Sequence, residues 1–275
     1  MGLKKLWNLL NMYDLMIIAL LVITAYNLSA LGLSNITSIV SIVISCIVID
    51  LVINYVKEKH KADIHATHIA RFFSKSALIT GLILSIILQG AVWLLIVVSA
   101  IAILSKHIIR IKGKHIFNPA IFGLFVALFL PVSQSWWGAS NLLLLLVLGL
   151  VVVHKLKRFH LVLPFLAVQA ALMAVLLSFD LSQLIDYFLS GSLIFFTFYM
   201  LIEPITSPLK MKSQIVFGVL AGVFASVLYI FWLPAMLVGS LFFADLCVPL
   251  LNRRPSVKPK ADQDADSMQL TNPNW

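Results

Sequence analysis

The sequence predicts an all-α polytopic membrane protein with about ten transmembrane helices, and three observations carry that prediction. Of 275 residues, 61% are hydrophobic and 11% charged, with a mean hydropathy of +1.03; a soluble domain carries roughly 25% charged residues. Apolar runs alternate with short polar breaks along nearly the whole chain. Lys and Arg cluster at 4–5, 57–75, 106–114, 155–158, 210–212 and 253–260, between apolar segments or at a terminus. That is the pattern of loops retained on the cytoplasmic side, so the net charge of +9 reports topology and gives no ground for a nucleic-acid partner.

Ten apolar segments follow one another, at about 12–31, 36–56, 77–89, 91–105, 117–132, 139–154, 161–178, 188–202, 214–231 and 234–250. Segment 12–31 reads as a retained first span rather than a cleaved signal, because only two lysines precede it and 25–33 offers a weak small-residue site. The third and fourth segments are shorter than the roughly 20 residues of a full crossing, which predicts broken or half-spanning helices packed inside protein. From a cytoplasmic N-terminus, the basic loops 57–76, 106–116, 155–160 and 203–213 and the tail all fall inside. Loops 32–35, 133–138 and 179–187 fall outside and carry no Lys or Arg. The expected protein is a multi-pass plasma (inner) membrane protein with both termini cytoplasmic. Its single transmembrane domain covers 1–254, and 255–275 reads as a disordered polar tail.

A weak internal repeat divides that domain. Ser76-Ala77-Leu78-Ile79 opens a segment that breaks at Gln89-Gly90, and Ser190-Gly191-Ser192-Leu193 opens one that breaks at Glu203-Pro204, each thirteen residues after its serine. Pro119-Ala120-Ile121-Phe122-Gly123 finds an echo at Pro234-Ala235-Met236-Leu237-Val238-Gly239. With five spans per unit the copies, about 12–132 and 139–250, enter from opposite sides, an inverted repeat in which broken helices meet near the midplane.

Candidate site residues gather at the breaks. Lys114 and His115 precede Asn118-Pro119, where Asn can cap a helix and Pro at its first position loses no hydrogen bond. Such a terminus carries partial positive charge and suits an anionic or polar ligand. Glu203 is either an intramembrane proton or cation ligand, or an interfacial acid paired with Lys210 or Lys212. Thr206 and Ser207, between Pro204 and Pro208, are either helix caps or ligand contacts. His65 and His68, with Asp63 nearby, lack the further ligand that a zinc site needs. The two cysteines, Cys46 and Cys247, read as buried hydrophobes, too few for an iron–sulfur cluster. Trp136 and Trp137 read as interfacial anchors. Phosphate-binding loops, paired catalytic carboxylates and Ser–His–Asp arrangements are absent from the sequence, so no catalytic residue is assigned.

Ser76-Ala77-Leu78-Ile79-Thr80-Gly81, Ser105-Lys106, the run from Gly113 through Phe117-Asn118-Pro119-Ala120, and Glu203-Pro204-Ile205-Thr206 occur in order. As a set, they make the sequence resemble the RnfD/NqrB family, membrane proteins of the Rnf electron-transport complex and of the sodium-pumping Nqr complex. The resemblance implies ten helices in an inverted repeat, a fold shared with urea transporters, and a non-catalytic membrane component in flavin-dependent electron transfer coupled to ion movement. Flavinylated members carry FMN on the final threonine of Ser/Thr-Gly-Ala-Thr. Here the matching stretch is Ser190-Gly191-Ser192-Leu193, and leucine has no hydroxyl to esterify. Glu203-Pro204 stands where Asp-Pro is usual.

Two functions follow as expectations. The first is a membrane subunit of an Rnf/Nqr-like complex without covalent FMN, using a noncovalent flavin (FMN or riboflavin) or none, with other subunits or a second copy as partners besides the lipid bilayer. Lys114, His115, Asn118, Thr206 and Ser207 would contact the ligand, and Glu203 the ion or proton. The second is a stand-alone transporter or channel for a small solute built on the same fold.

Overall fold

A computed structural model describes residues 10–59, 74–111 and 113–252. The expectations for His65, His68, Asp63 and the tail 255–275 lie outside the described residues.

The chain is predominantly helical, and each of the ten apolar runs contains helix. In order these are α1 (Met12–Leu31), α2 (Ile36–Lys59), α3 (Lys75–Ile87), α4 (Val92–Ile108), α5 (Pro119–Ala127), α6 (Leu142–Leu156), α7 (Phe159–Leu176), α8 (Leu181–Phe188), α9 (Gly191–Phe195), α10 (Met211–Phe231) and α11 (Met236–Leu251). Helix α9 continues as a π-helical turn, Phe196–Met200, in which Leu201 N donates to Phe196 O at 2.9 Å. The loop expected at 179–187 holds α8, started by the Asp180 carboxylate accepting from the amides of Ser182 and Gln183 at 2.9 and 3.2 Å.

By length and composition five helices can cross a membrane: Met12–Leu31, Leu33–Lys57, Phe159–Leu176, Met211–Phe231 and Leu233–Leu251. A sixth crossing results if α8 and α9 with its π turn, bent by 48°, count as one. The shorter pieces need cover, because an apolar medium leaves backbone ends at mid-depth unsatisfied. For α3 and α9 the cover is almost complete. Residues 82–88 are all buried, as are Phe195, Phe196, Tyr199 and Met200. The long helices α1, α2 and α10 instead turn Val22, Ile44, Val52, Val227 and Ile230 outward, as lipid-facing helices do. The fourth segment is short as expected, α4 running 17 residues, but it is not enclosed by protein, because it exposes Trp93 at 65%.

Polar pegs fix the bundle. Asn27 on α1 donates to Gly138 O at 2.8 Å and accepts from Ser140 Oγ. Gln169 on α7 donates to Gly222 O at 2.6 Å and accepts from Tyr187 Oη, so one side chain ties α7, α8 and α10. Trp137, expected as an interfacial anchor, instead donates its indole N–H to Ser85 O at 2.8 Å near the end of α3. Two short ladders close the breaks. Leu88 and Gln89 pair with Gln134 and Ser133, and Arg110 and Ile111 pair with His115 and Lys114 around Gly113, whose φ of +81° suits glycine.

Among the described glycines, Gly191 permits the closest approach. A Cβ there would stand 1.7 Å from Ala139 O, whereas a Cβ at Gly90 would meet nothing nearer than 3.6 Å. Gly191→Ala should therefore destabilise the protein by at least about 3 kcal/mol, from overpacking against backbone. Gly90→Ala should be tolerated. Thermal unfolding midpoints and monodisperse yield of the two purified variants check this; similar behaviour of both would mean that α9 is free to shift.

Candidate functional site

At the N-terminus of α5, Asn118 Oδ1 accepts from the amides of Ala120 at 2.9 Å and Ile121 at 3.3 Å, with Pro119 at the first helical position. The cap expected from Asn-Pro is thus present. Its surroundings are new. Asn118 N donates to Asp245 Oδ2 on α11 at 2.9 Å, and Asn118 Nδ2 reaches Met200 O at 3.4 Å. One residue joins α5, α11 and the end of the π turn. The positive end of α5 is therefore answered from within the protein, by its own cap and by a carboxylate.

Nothing in the sequence singles out Asp245. It is fully buried at 0% exposure, and its Oδ1 has no hydrogen-bond partner among the described residues. A buried carboxyl with one oxygen unanswered is costly unless it is protonated or meets a cation.

Glu203 follows the π turn. It is paired with neither Lys210 nor Lys212: Thr206 Oγ1 donates to its Oε2 at 2.9 Å, and Ser207 Oγ donates to its backbone carbonyl at 2.5 Å. The proximity of Lys210 in sequence misleads here, because Pro204 and Pro208 turn the chain away before the lysine. Arg158, only 4% exposed, donates to the carbonyls of Pro204 and Pro208, filling the acceptors that the prolines free. Sequence reasoning missed this buried cation as well.

Two hollows meet at this place. The inner one, about 30 Å³, is lined by Asn118, Glu203, Tyr199, Thr80, Ser76 and Tyr13 among others. It has room for one or two waters or an ion. The outer vestibule, about 590 Å³, is lined by Lys75, Lys106, Arg110, Lys114, His115 and Ser207, with Tyr13, Ser76 and Pro204 shared between the two. The vestibule is of the size that takes small-molecule ligands, and the inner cavity is far smaller. The structure thus gathers Lys114, His115, Asn118, Glu203, Thr206 and Ser207 at one place.

The stretch Ser190-Gly191-Ser192-Leu193 lies elsewhere. Leu193 is buried at 2%, while Ser192 borders a recess with Gln134, Trp136 and Leu233, beside the far end of α3. The thirteen residues of α3 separate that recess from the vestibule by about 20 Å.

A second buried acid, Asp50 on α2, is by contrast fully answered. Its Oδ1 meets Lys106 Nζ at 2.8 Å and His107 Nε2 at 2.7 Å, and its Oδ2 accepts from Asn54 at 3.2 Å. Lys57 Nζ, as donor, meets His107 Nδ1 at 2.9 Å, which assigns the Nε2–H to the bond with Asp50.

His115, in the hairpin outside the spanning helices, is 9% exposed and its Nε2 has no partner among the described residues. Burial, and then the charges of Lys106, Arg110 and His107, lower its pKa to about 4 from the usual 6.5. Between those values the unfolded chain takes up a proton that the folded one refuses. This contribution to stability is complete above pH 6.5 and is lost as pH falls toward 4. The unfolding midpoint in detergent should accordingly drop through that window, and His115→Gln should flatten the profile. Parallel profiles would contradict the assignment.

The NQR2, RnfD, RnfE family matches residues 7–138 and 124–260. The RnfD protein of the ion-translocating oxidoreductase complex from Actinobacillus pleuropneumoniae serotype 5b (strain L20) is 26% identical over 141 residues, which are 49% of this chain and 38% of that protein. The same protein from serotype 3 (strain JL03) gives the same figures. The aligned part thus spans about two-fifths of the length of these curated relatives. On the extent of the family match, which runs through nearly the whole chain, this protein belongs to the NQR2, RnfD, RnfE family.

Proposed function

We propose that this chain is the membrane subunit of an Rnf/Nqr-like electron-transport complex, contributing to electron transfer coupled to ion movement, with no flavin attached covalently. The observation that carries the ion-coupling part is the placement of two acids around one helix start. Asp245 binds the Asn118 backbone N–H from α11, and Glu203 lines the small cavity that Asn118 also lines. An acid at that depth is a candidate proton or cation ligand. Glu203 is the accessible member and Asp245 the enclosed one.

The proposed frame is ten spans in two inverted repeats. Its support lies in matched packing: α1 on α3 corresponds to α6 on α9, α2 on α4 to α7 on α10, and α4 on α5 to α10 on α11. The echoing segments meet, with Phe242 of α11 stacked on Phe117 at 4.6 Å and on Phe125 of α5 at 4.0 Å. In this frame the vestibule faces the cytoplasm of a plasma (inner) membrane protein. Any flavin there is noncovalent, and the exposed apolar faces meet lipid, sister subunits or a second copy.

Two measurements test the reading. On a denaturing gel the purified chain, co-expressed with a flavin transferase, should show no fluorescent band, and acid precipitation of the native protein should release flavin. A fluorescent band would put covalent flavin on Ser190 or Ser192; no flavin by either route would favour the solute-transporter reading. In the assembled complex, Glu203→Gln should lower the ion-coupled rate by about 100-fold, the scale of losing a proton-carrying group, at normal expression. Full activity would remove Glu203 from the ion route.

A further inference from the structure

The vestibule has features that an ion route does not use. Helix α3 starts on its wall at Ser74, Lys75 and Ser76, and Ser74 supplies no side-chain cap to the first amides, in contrast with Asn118 on α5. Across from that start, the hairpin Arg110–His115 brings Arg110 and His115 side by side as cross-strand partners, with Lys114 beside them. Among the described residues no Asp or Glu lines the vestibule. Two of its cations are already neutralised, Lys75 by Asp14 at 2.5 Å and Lys106 by Asp50 at 2.8 Å. Arg110 spends one N–H on Gly113 O, and Lys114 has no partner among the described residues.

Two buried polar atoms on the vestibule's lining residues are left unanswered: His115 Nε2, on a residue more than nine-tenths buried, and Ser76 Oγ. Buried polar groups are paired in almost all native structures, so an orphan pair beside an open helix start and surplus cations marks a missing oxygen-rich partner. A carboxylate offers two oxygens; a phosphate offers more acceptors and up to two charges. That matches the Ser76 hydroxyl, His115 in its Nε2–H tautomer, the α3 amides and the surplus charge of Arg110 and Lys114.

We propose that the vestibule is a phosphate-binding site, in which the start of α3, Ser76, Arg110, Lys114 and His115 hold the phosphate of a phosphate-bearing ligand. Two sources share this chemistry, a soluble phosphomonoester such as FMN and the headgroup of an anionic phospholipid. The inference rests on the vestibule's own groups and does not need electron transfer. For a flavin held as proposed above, it adds a preference for FMN over riboflavin.

The test uses the full chain in nanodiscs of phosphatidylcholine at constant ionic strength. FMN, riboflavin and inorganic phosphate are titrated by equilibrium dialysis, with the unfolding midpoint as a second readout. If the soluble ligand is the occupant, FMN binds saturably and about tenfold or more tighter than riboflavin, the scale of one charge-assisted contact. Phosphate then competes with FMN, and exchanging part of the lipid for phosphatidylglycerol leaves FMN affinity unchanged. If the lipid is the occupant, phosphatidylglycerol raises the midpoint without FMN and displaces FMN. In either case Arg110→Gln with Lys114→Gln weakens the phosphate-bearing probe about tenfold or more, and His115→Phe weakens it with partial rescue by His115→Gln. Lys157→Gln, on a basic loop outside the vestibule, changes nothing. Equal binding of FMN and riboflavin with no effect of phosphatidylglycerol would overturn the proposal. So would unchanged binding in the folded Arg110→Gln/Lys114→Gln variant. Because no step reads electron transfer, loss of the redox reading leaves these outcomes interpretable.

Discussion

The hydrogen bond from the Asn118 backbone N–H to Asp245 is the interaction on which the interior depends. Helices that end inside an apolar slab leave amides and carbonyls with no water to receive them. Three answers to that constraint meet within a few residues. Asn118 caps α5 and lends its own N–H to Asp245; its side-chain amide takes the Met200 carbonyl at the end of the π turn; Arg158 takes the carbonyls freed around Pro204 and Pro208. Without such answers α5 and α9 would be strained fragments. With them, two half-length helices become fixed walls of a small polar cavity.

The two buried aspartates show that the constraint can be met in different ways. Asp50 sits among Lys106, His107 and Asn54, and both of its oxygens are engaged. Breaking such a set by removing one partner leaves a buried charge and is strongly destabilising, which is the behaviour of a structural cluster. Asp245 has one backbone donor and one free oxygen, and no cation reaches it among the described residues. One oxygen of Asp245 thus holds the start of α5, while the other is left open. That open oxygen is what makes Asp245, like the Glu203 that lines the cavity beside Asn118, a candidate proton or cation ligand in the reading proposed above.

Much of this was legible beforehand, for definite reasons. Every apolar run that hydropathy located holds a helix, because lipid and a protein interior both demand apolar side chains. Asn118-Pro119 revealed its cap because Asn accepts from the first free amides, Pro loses nothing at the first helical position, and an apolar run follows. Asp245 and Asp50 were lost because a single acid barely changes the average of a run such as 234–250. Helix α8 was lost because its eight residues alternate Leu181, Leu184, Ile185 and Phe188 with polar ones, so it resembles a loop by composition. Glu203 was half read: its depth was suspected, but nearness to Lys210 in sequence stood in for distance. Arg158, read as one more loop cation, could have been suspected from the same two prolines, since freed carbonyls call for a donor. The vestibule was legible residue by residue at Lys114 and His115, but its other wall lies on α3, about forty residues earlier.

The separation of the two ends of α9 bears on what the missing threonine means. Gly191 keeps its close approach to Ala139 O, and from there the helix and π turn run ten residues, about 15 Å, to Met200 and the acid cavity. Leu193 packs in the core and asks nothing of Glu203, Asn118 or Asp245. Exchanging a hydroxyl for an isobutyl group at the recess end therefore leaves the cavity end intact. Leu193 and the two acids lie at opposite ends of this segment, and the residue at position 193 makes no demand on the geometry around Glu203 and Asn118.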